Sequence, residues 1–479
     1  MKRQNAQVLI VGGGPGGRVS YMVLKNLGVE NVRIVANEEP TVICSLPYGV
    51  GCRLIPEGPE AVVVNLAQSD RLPKSIVEDL IPGNVISLDP AKHEAVIRGR
   101  DGEIVMTFDN AILAPGAAPW LPPADGLLKD SGPDTGTGVF YGNDWLDKGR
   151  LAGHVHVLRG APDARRLDEL AAKGKNAVVV GSGAIGLEMA EALHDRGMKP
   201  TVLEVLEHLV SALDADMAAK IEDRLRQRSV SVFKGREAAV KKVLPGKVEL
   251  QNGRVIPCDG VIFATGVRPD LRLARGAGLT VEKGIVVDSS MRTSAEGIYA
   301  VGDAAQIADG ATGLPILPFV GTLAMREAVV AASAIAGRPM PLPPVAAWGV
   351  SAVFGLNWGS VGWTAEAAKR AGIATATLIQ PIRTRDHFMP EGQDGVWKLV
   401  VASAPHGEVK SGQILGFQVV QEGESPLTLA ERFIDIVARK ETVVDLFGHY
   451  FIHSPVHNAV NDPYLGLLFQ AQRLFRKAG

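Results

Sequence analysis

Short continuous apolar runs, each followed by a glycine-rich turn, set the rhythm of the chain. Val8-Leu9-Ile10-Val11 is one such run, the pattern of a parallel strand buried on both faces. After Gly12 to Gly17, the residues Val19, Met22, Val23 and Leu27 recur at helical spacing. Arg18 to Leu27 is therefore predicted helical, with Gly28 as its stop. Val32-Arg33-Ile34-Val35 is the returning strand of a βαβ unit. The unit then repeats: Ala177-Val178-Val179-Val180, the turn Gly181 to Gly186, a helix carrying Ile185, Met189 and Leu193 closed by Gly197, and Thr201-Val202-Leu203. Further strands are predicted at Ala111 to Ala114, Gly260 to Ala264 and Gly297 to Val301, and an Ala-rich helix at Thr322 to Ala336. Pro339-Met340-Pro341-Leu342-Pro343-Pro344 reads as a linker to a last region of mixed strand and helix signals. Gly126 to Gly153, rich in Gly and Asp, shows weak periodicity and reads as a surface insertion without a role.

The pattern predicts an α/β protein with two similar nucleotide-binding units, and 479 residues are too many for one core. Lys and Arg number 50 against 52 Asp and Glu. That balance speaks against a nucleic-acid partner or a charged membrane surface. No apolar stretch approaches the ~18 residues of a membrane span. The apolar start runs into glycines, not a cleavage site, and reads as a strand rather than a secretion signal. Three cysteines cannot staple a secreted scaffold; they fit a reducing, cytoplasmic compartment. No Cys/His cluster has zinc-like spacing, so no metal is expected.

The first turn, Gly12-x-Gly14-x-x-Gly17, lies between strand and helix, where glycines let the backbone approach a pyrophosphate at a helix N-terminus. Its ribose acid is assigned to Glu38, just past the strand end. The second turn, Gly181-x-Gly183-x-x-Gly186, is followed by Glu204 at the end of its second strand. A carboxylate there accepts from ribose hydroxyls and repels a 2′-phosphate, and Val205 and Leu206 supply no cation, which favours NADH over NADPH. Two nucleotide sites in one chain suggest a flavin beside a nicotinamide. Ala114-Pro115-Gly116 and Ala264-Thr265-Gly266 each follow a strand, and Gly297 to Asp303 ends another.

This set of motifs resembles the FAD-dependent pyridine nucleotide-disulfide oxidoreductase family along nearly the whole chain. The resemblance implies two Rossmann-like domains, for FAD and NAD, and a C-terminal α+β dimerisation domain. The expected division is 1–154 and 288–338 for FAD, 155–287 for NAD and 345–479 for dimerisation. It further implies that Ala114, Gly116, Gly266, Gly302 and Asp303 belong to the cofactor sites, with Asp303 on the FAD ribityl chain. Glu188, in Gly186-Leu187-Glu188, would lie near the nicotinamide, and the helix beginning near Thr322 would point its N-terminus at the flavin.

Cys44 stands in Ile43-Cys44-Ser45-Leu46-Pro47-Tyr48. The paired cysteines of the major disulfide reductases are absent. Cys52 is eight residues on, about 12 Å along a helix, beyond the ~7 Å that a disulfide spans. Cys-Ser-Leu-Pro-Tyr is similar to the single-cysteine branch, which contains coenzyme A disulfide reductases, polysulfide or persulfide reductases and NADH oxidases. That resemblance implies a redox cysteine at a helix start, where a thiolate is favoured. Cys52 and Cys258 read as packing residues. Near the C-terminus the branch brings an acid/base group to the partner subunit; Val456 occupies the position of its Tyr, leaving His453 and His457 as replacements. Arg18 and Lys25 are the candidates for coenzyme A phosphates, with coenzyme A left open as substrate or bound thiol.

The expected function is an NADH-dependent, FAD-containing homodimer reducing a disulfide, persulfide or polysulfide through Cys44. The alternatives are an NADH oxidase cycling a sulfenic acid, and an electron-transfer subunit for a protein partner, with 126–153 as docking surface.

Overall fold

The computed structural model describes residues 2–69, 72–99 and 102–475. The first apolar run forms the middle of the parallel part of a mixed six-stranded sheet because its residues are covered on both faces. Strand β1 (Lys2–Val11) lies between β2 (Val32–Ala36) and β3 (Gly102–Leu113), with Val8 opposite Val32 and Leu9 opposite Ala111. Ile298–Ala300 continues the sheet parallel to β3, and Leu80–Asp89 and Glu94–Gly99 complete it. Helix α1 (Pro15–Asn26) packs against α2 (Gly321–Ile335), the predicted Ala-rich helix. The linker 339–344 has no helix or strand, as its prolines dictate.

The repeat folds as its own parallel five-stranded sheet. Its order is Ser231–Lys234, Lys199–Glu204, Asn176–Val180, Gly260–Phe263 and Val155–His156. Helix α3 (Ala184–Asp195) opens directly from its glycine turn. The last region is a five-stranded antiparallel sheet: Trp348–Val353, Leu356–Gly362, Ile414–Glu422, Asp394–Ala402 and Thr375–Arg383. Helices Leu427–Ala438 and Pro463–Phe475 pack on it around Phe417, Phe433, Trp397 and Tyr464.

Segment 126–153 departs from expectation. It contains Gly138–Tyr141 and Asp144–Asp147, antiparallel to each other, in a four-stranded sheet with Ala117–Leu121 and Val267–Pro269. Leu127, Val139 and Leu151 are fully or almost fully buried. Four-residue strands between Gly- and Asp-rich turns are too short to show a period, which hid them in the sequence. The segment is therefore structural: the ribbon it joins pairs the chain leaving Gly116 with the chain leaving Gly266, and so ties the two parallel sheets together.

The antiparallel sheet is docked on the second parallel unit by buried charge. The Lys398 ammonium, 5% exposed, meets Asp214 at 3.0 Å and Asp216 at 2.6 Å. The Asp214 backbone N–H donates to the Gln418 Oε1 and the Gln418 amide donates back to the Asp214 carboxylate. Val353, Phe354 and Trp358 enter one apolar core with Leu46, Met189 and Leu193. Among the described residues no helix is long and apolar enough to cross a membrane.

Candidate functional site

The glycines of both turns divide by what surrounds them. A Cβ at Gly12 would lie 2.0 Å from the Ala114 carbonyl oxygen, and one at Gly17 would lie 1.9 Å from the Gly12 oxygen. The same holds in the second turn, at 2.3 Å between Gly181 and the Ala264 oxygen and 2.1 Å between Gly186 and the Gly181 oxygen. These four are glycine because the chain itself passes too close. Gly14 and Gly183 are different: a Cβ there would meet nothing within 4 Å. Each is the N-cap of its helix, each helix lacks a side-chain cap, and neither has an acid in its first turn. The first N–H groups of both helices are thus left to a ligand, and the dipole favours an anion. These cradles fit the two pyrophosphates of FAD and a nicotinamide dinucleotide.

Around the first cradle the structure assembles Gly12, Gly14, Gly17, Ala114, Gly116, Gly302 and Asp303. Gly16 faces Val301, Ala114 and Ala324, and the N-terminus of α2 faces Pro15. Burial raises the Asp303 carboxyl, and Arg159 at 4.0 Å opposes that rise. Arg159 also donates to the Ala117 carbonyl at 2.9 Å. Beneath them Glu327 on α2, 2% exposed, accepts from the Gly302 N–H at 2.5 Å, and burial pushes its carboxyl up to about 8. Sequence reasoning missed Arg159 and Glu327, which lie in no motif and converge only in three dimensions. Glu38 is exposed beyond the end of β2, and its neighbour Glu39 pairs with Arg165.

Around the second cradle lie Gly181, Gly183, Gly186, Ala264, Gly266 and Glu204. The Glu204 carboxylate accepts from the Ser182 N–H at 3.0 Å, the Ser182 hydroxyl at 2.6 Å and the Leu206 N–H at 3.0 Å. Its acceptor face is thereby fixed at the mouth of the turn.

Cys44 sits in the single turn Ile43–Ser45, immediately before the short helix α4 (Leu46–Gly51), and is exposed. All three cysteines are free thiols. Cys52 ends the short helix with φ 59°; its thiol donates to the Gly49 carbonyl at 3.2 Å and accepts from Arg196 at 3.2 Å. Cys258 is buried, which pushes its thiol up to about 11. The short helix lies directly on α3, where a Cβ at Gly51 would come within 3.1 Å of Ala192. Glu188 on α3 accepts from Ser351 of the antiparallel sheet at 2.7 Å, and the Tyr48 hydroxyl of the redox segment acts on the same carboxyl. Burial raises the Glu188 carboxyl, and those hydroxyls pull it part of the way back. Burial, then Glu188, raises the Tyr48 phenol. Ser351, 163 residues from Glu188, had no signal in the sequence.

His453 and His457 are exposed, in a segment without helix or strand. No hydrogen bond or ion pair joins either side chain to the Cys44 segment among the described residues. Lys25 is engaged with Asp79 at 3.2 Å and the Glu30 carbonyl at 2.6 Å, whereas Arg18 is partly buried and has no such bond among the described residues. No group of three His, Cys, Asp or Glu among the described residues could hold a metal ion.

The profile of the pyridine nucleotide-disulphide oxidoreductase family matches residues 6–334. An NADH oxidase of Methanocaldococcus jannaschii is 28% identical over 95% of this chain and 96% of its own. A CoA-dependent NAD(P)H sulfur oxidoreductase of Pyrococcus abyssi is 27% identical over 96% and 97%. The solved NAD-dependent persulfide reductase from A. fulgidus superposes with a TM-score of 0.86 at 27% identity, over 99% of this chain and 84% of that one.

Proposed function

The chain belongs to the pyridine nucleotide-disulphide oxidoreductase family, an FAD-dependent NAD(P)H oxidoreductase family, and we propose that it reduces a sulfur–sulfur bond with electrons from NADH. The observation that carries this reading is the exposed Cys44 thiol at the start of α4, seated on the helix that opens from the second glycine cradle. The persulfide reductase and the CoA-dependent sulfur oxidoreductase to which the chain is similar support a persulfide, polysulfide or coenzyme A-linked substrate.

The roles follow from the site residues. Gly12, Gly14, Gly17, Ala114, Gly116, Gly302 and Asp303 hold FAD, and Gly181, Gly183, Gly186, Glu188, Glu204 and Gly266 hold NADH. Glu38 is assigned to the first ribose. Bound flavin supplies two-electron transfer between a nicotinamide and a sulfur centre. Gly14 and Gly183 leave open the helix ends that meet the phosphates. Glu204 selects an unphosphorylated ribose. Cys44 attacks the outer sulfur–sulfur bond as thiolate, forming a mixed disulfide or persulfide, and the departing thiolate takes a proton. His453 or His457 of the second subunit supplies that proton. Arg18 is the stronger contact for a coenzyme A phosphate, since Asp79 already holds Lys25.

The division of the chain into 1–154 with 288–338, 155–287 and 345–479 is part of this proposal, each piece carrying one of the main sheets. So is homodimerisation. Phe447, Tyr450 and Ile452 are more than 70% exposed, and Val456 and Val460 continue the apolar patch around the two histidines. The free thiols fit the cytoplasm.

The test is Cys44→Ser. The variant retains bleaching of the flavin by NADH under argon and loses persulfide and disulfide turnover by about a thousandfold. Intact turnover would remove Cys44 from the mechanism. The similarity to an NADH oxidase favours one second reading, oxygen as acceptor with Cys44 cycling through a sulfenic acid. NADH consumption in air without sulfur substrate, against consumption under argon with it, separates the two.

A further inference from the structure

The two parallel sheets deliver their second strands to their glycine turns in the same register. Val11 pairs with Val35, and the Gly12 N–H donates to the Val35 carbonyl at 2.8 Å. Val180 pairs with Leu203, and the Gly181 N–H donates to the Leu203 carbonyl at 2.8 Å. The next residue therefore stands at the same place beside each turn. In the second unit it is Glu204, which accepts from Ser182 within the turn. In the first it is Ala36, and the counterpart of Ser182 is Gly13, where a Cβ would come within 2.7 Å of the Ala36 Cβ. The first cradle thus has no carboxylate at that position, and Glu38 stands two residues beyond it. The first polar side chain past the strand is Asn37. Its amide N–H donates to the Gly136 carbonyl of segment 126–153. The reverse orientation would set oxygen against oxygen, so Oδ1 is left as an acceptor, with no donor among the described residues. The carbonyl is itself held in place. Gly136 has φ 67° and donates its N–H to Asp134 at 2.9 Å, and Thr135 donates its N–H and its hydroxyl to Asp147, both at 2.9 Å. A Cβ at Gly136 would lie 3.5 Å from the Asn37 amide nitrogen and 3.7 Å from that of Asn84, on the strand paired with β2.

We propose that Asn37, oriented by the Gly136 carbonyl, holds the adenosine ribose of FAD in place of an acid. The two units then solve one problem in two ways. In the second, Glu204 is turned to the ribose by a serine of its own glycine turn. In the first, a neutral amide is turned to it by a loop about a hundred residues away in the chain. Asn37 Oδ1 accepts from a ribose hydroxyl, and its Nδ2 stays on Gly136. Segment 126–153 therefore serves the flavin site as well as bracing the two sheets, and the ribose contact passes from Glu38 to Asn37. This rests on the reading of the first cradle as the FAD site.

The test is the rate at which the loaded enzyme releases its flavin on dilution, read as the rise of flavin fluorescence. Asn37→Ala releases FAD about fivefold or more faster than wild type, with NADH affinity by calorimetry within about twofold. Both proteins are then reloaded with an FAD analogue whose adenosine ribose lacks its two hydroxyls. With it they release at rates within about 1.5-fold of each other, because the bond that Asn37 makes is gone from both. Asn37→Asp separates the role of Gly136 from that of a bare acceptor. A carboxylate accepts at least as well as an amide but has no hydrogen for the Gly136 carbonyl, so this variant too releases FAD about threefold or more faster. An Asn37→Ala protein that binds NADH but retains no FAD at all is the extreme of the same loss and supports the assignment. FAD release at the wild-type rate from Asn37→Ala overturns it, as does an undiminished difference between the two proteins with the analogue. Faster release from Glu38→Gln than from Asn37→Ala also overturns it and returns the ribose to Glu38. Wild-type retention by Asn37→Asp overturns the part given to Gly136. A wild type that is colourless and takes up no FAD overturns the flavin reading of the first cradle itself, and the assignment falls with it.

Discussion

The buried carboxyl of Glu327 is the residue whose ionisation costs the fold most visibly. It accepts from the Gly302 N–H and is surrounded by α2 and the Asp303 turn. Its folded value of about 8 lies far above that of an exposed glutamate. A raised carboxyl stabilises the fold fully below the unfolded value and loses that contribution as pH climbs through the folded one. The wild type should therefore lose stability between about pH 5 and pH 9, by a few kcal/mol. Glu327→Gln keeps an acceptor for Gly302 and removes the titration. Its melting temperature should fall less over the same range, measured by calorimetry in matched buffers. Equal pH slopes in the two proteins would mean that Glu327 is already ionised near neutrality. Glu327 was not legible in the sequence, because an acid within an Ala-rich helix carries no mark of burial. Cys44 was legible, because its neighbours Ser-Leu-Pro-Tyr carry a family pattern.

At the scale of elements, the two strand-turn-helix units make separable predictions. Gly17→Ala would drive a Cβ to 1.9 Å from the Gly12 oxygen, and Gly186→Ala would do the same to the Gly181 oxygen at 2.1 Å. No flexible side chain can yield in either place, so each turn must open. Gly17→Ala should purify without flavin colour. Gly186→Ala should remain yellow, with an NADH KM raised about tenfold or more. A yellow Gly17→Ala protein with unaltered flavin affinity would contradict the assignment of the first turn. Both units were readable beforehand because a continuous apolar run, a glycine triplet and a helical repeat are local signals. The pairing of Ala117–Leu121 with Val267–Pro269 was not, since its partners are about 150 residues apart and each is too short for a period.

For the whole molecule, the exposed run of Phe447, Tyr450 and Ile452 calls for a cover. On the proposed reading, a second copy of the chain buries it and brings His453 and His457 to the neighbouring Cys44. Ile452→Asp together with Tyr450→Asp should shift the particle to monomer in light scattering, keep FAD, and lower sulfur turnover about a hundredfold. Dimers with full activity would place the interface elsewhere. Within one chain, Lys398 with Asp214, Asp216 and Gln418 fixes the antiparallel sheet against the second unit. At the same sheet contact, Ser351 donates to Glu188 at 2.7 Å.

The order of residues alone carried the two glycine turns, the candidate redox cysteine and the resemblance to the family, because each is written within a few dozen consecutive positions. Only the folded chain decided that segment 126–153 is a strut between sheets, that Glu327 is buried, and that Glu188 and Ser351 meet. The strut and the Glu188–Ser351 contact join residues more than a hundred positions apart, and the burial of Glu327 depends on exclusion of water; neither leaves a periodic trace in the sequence.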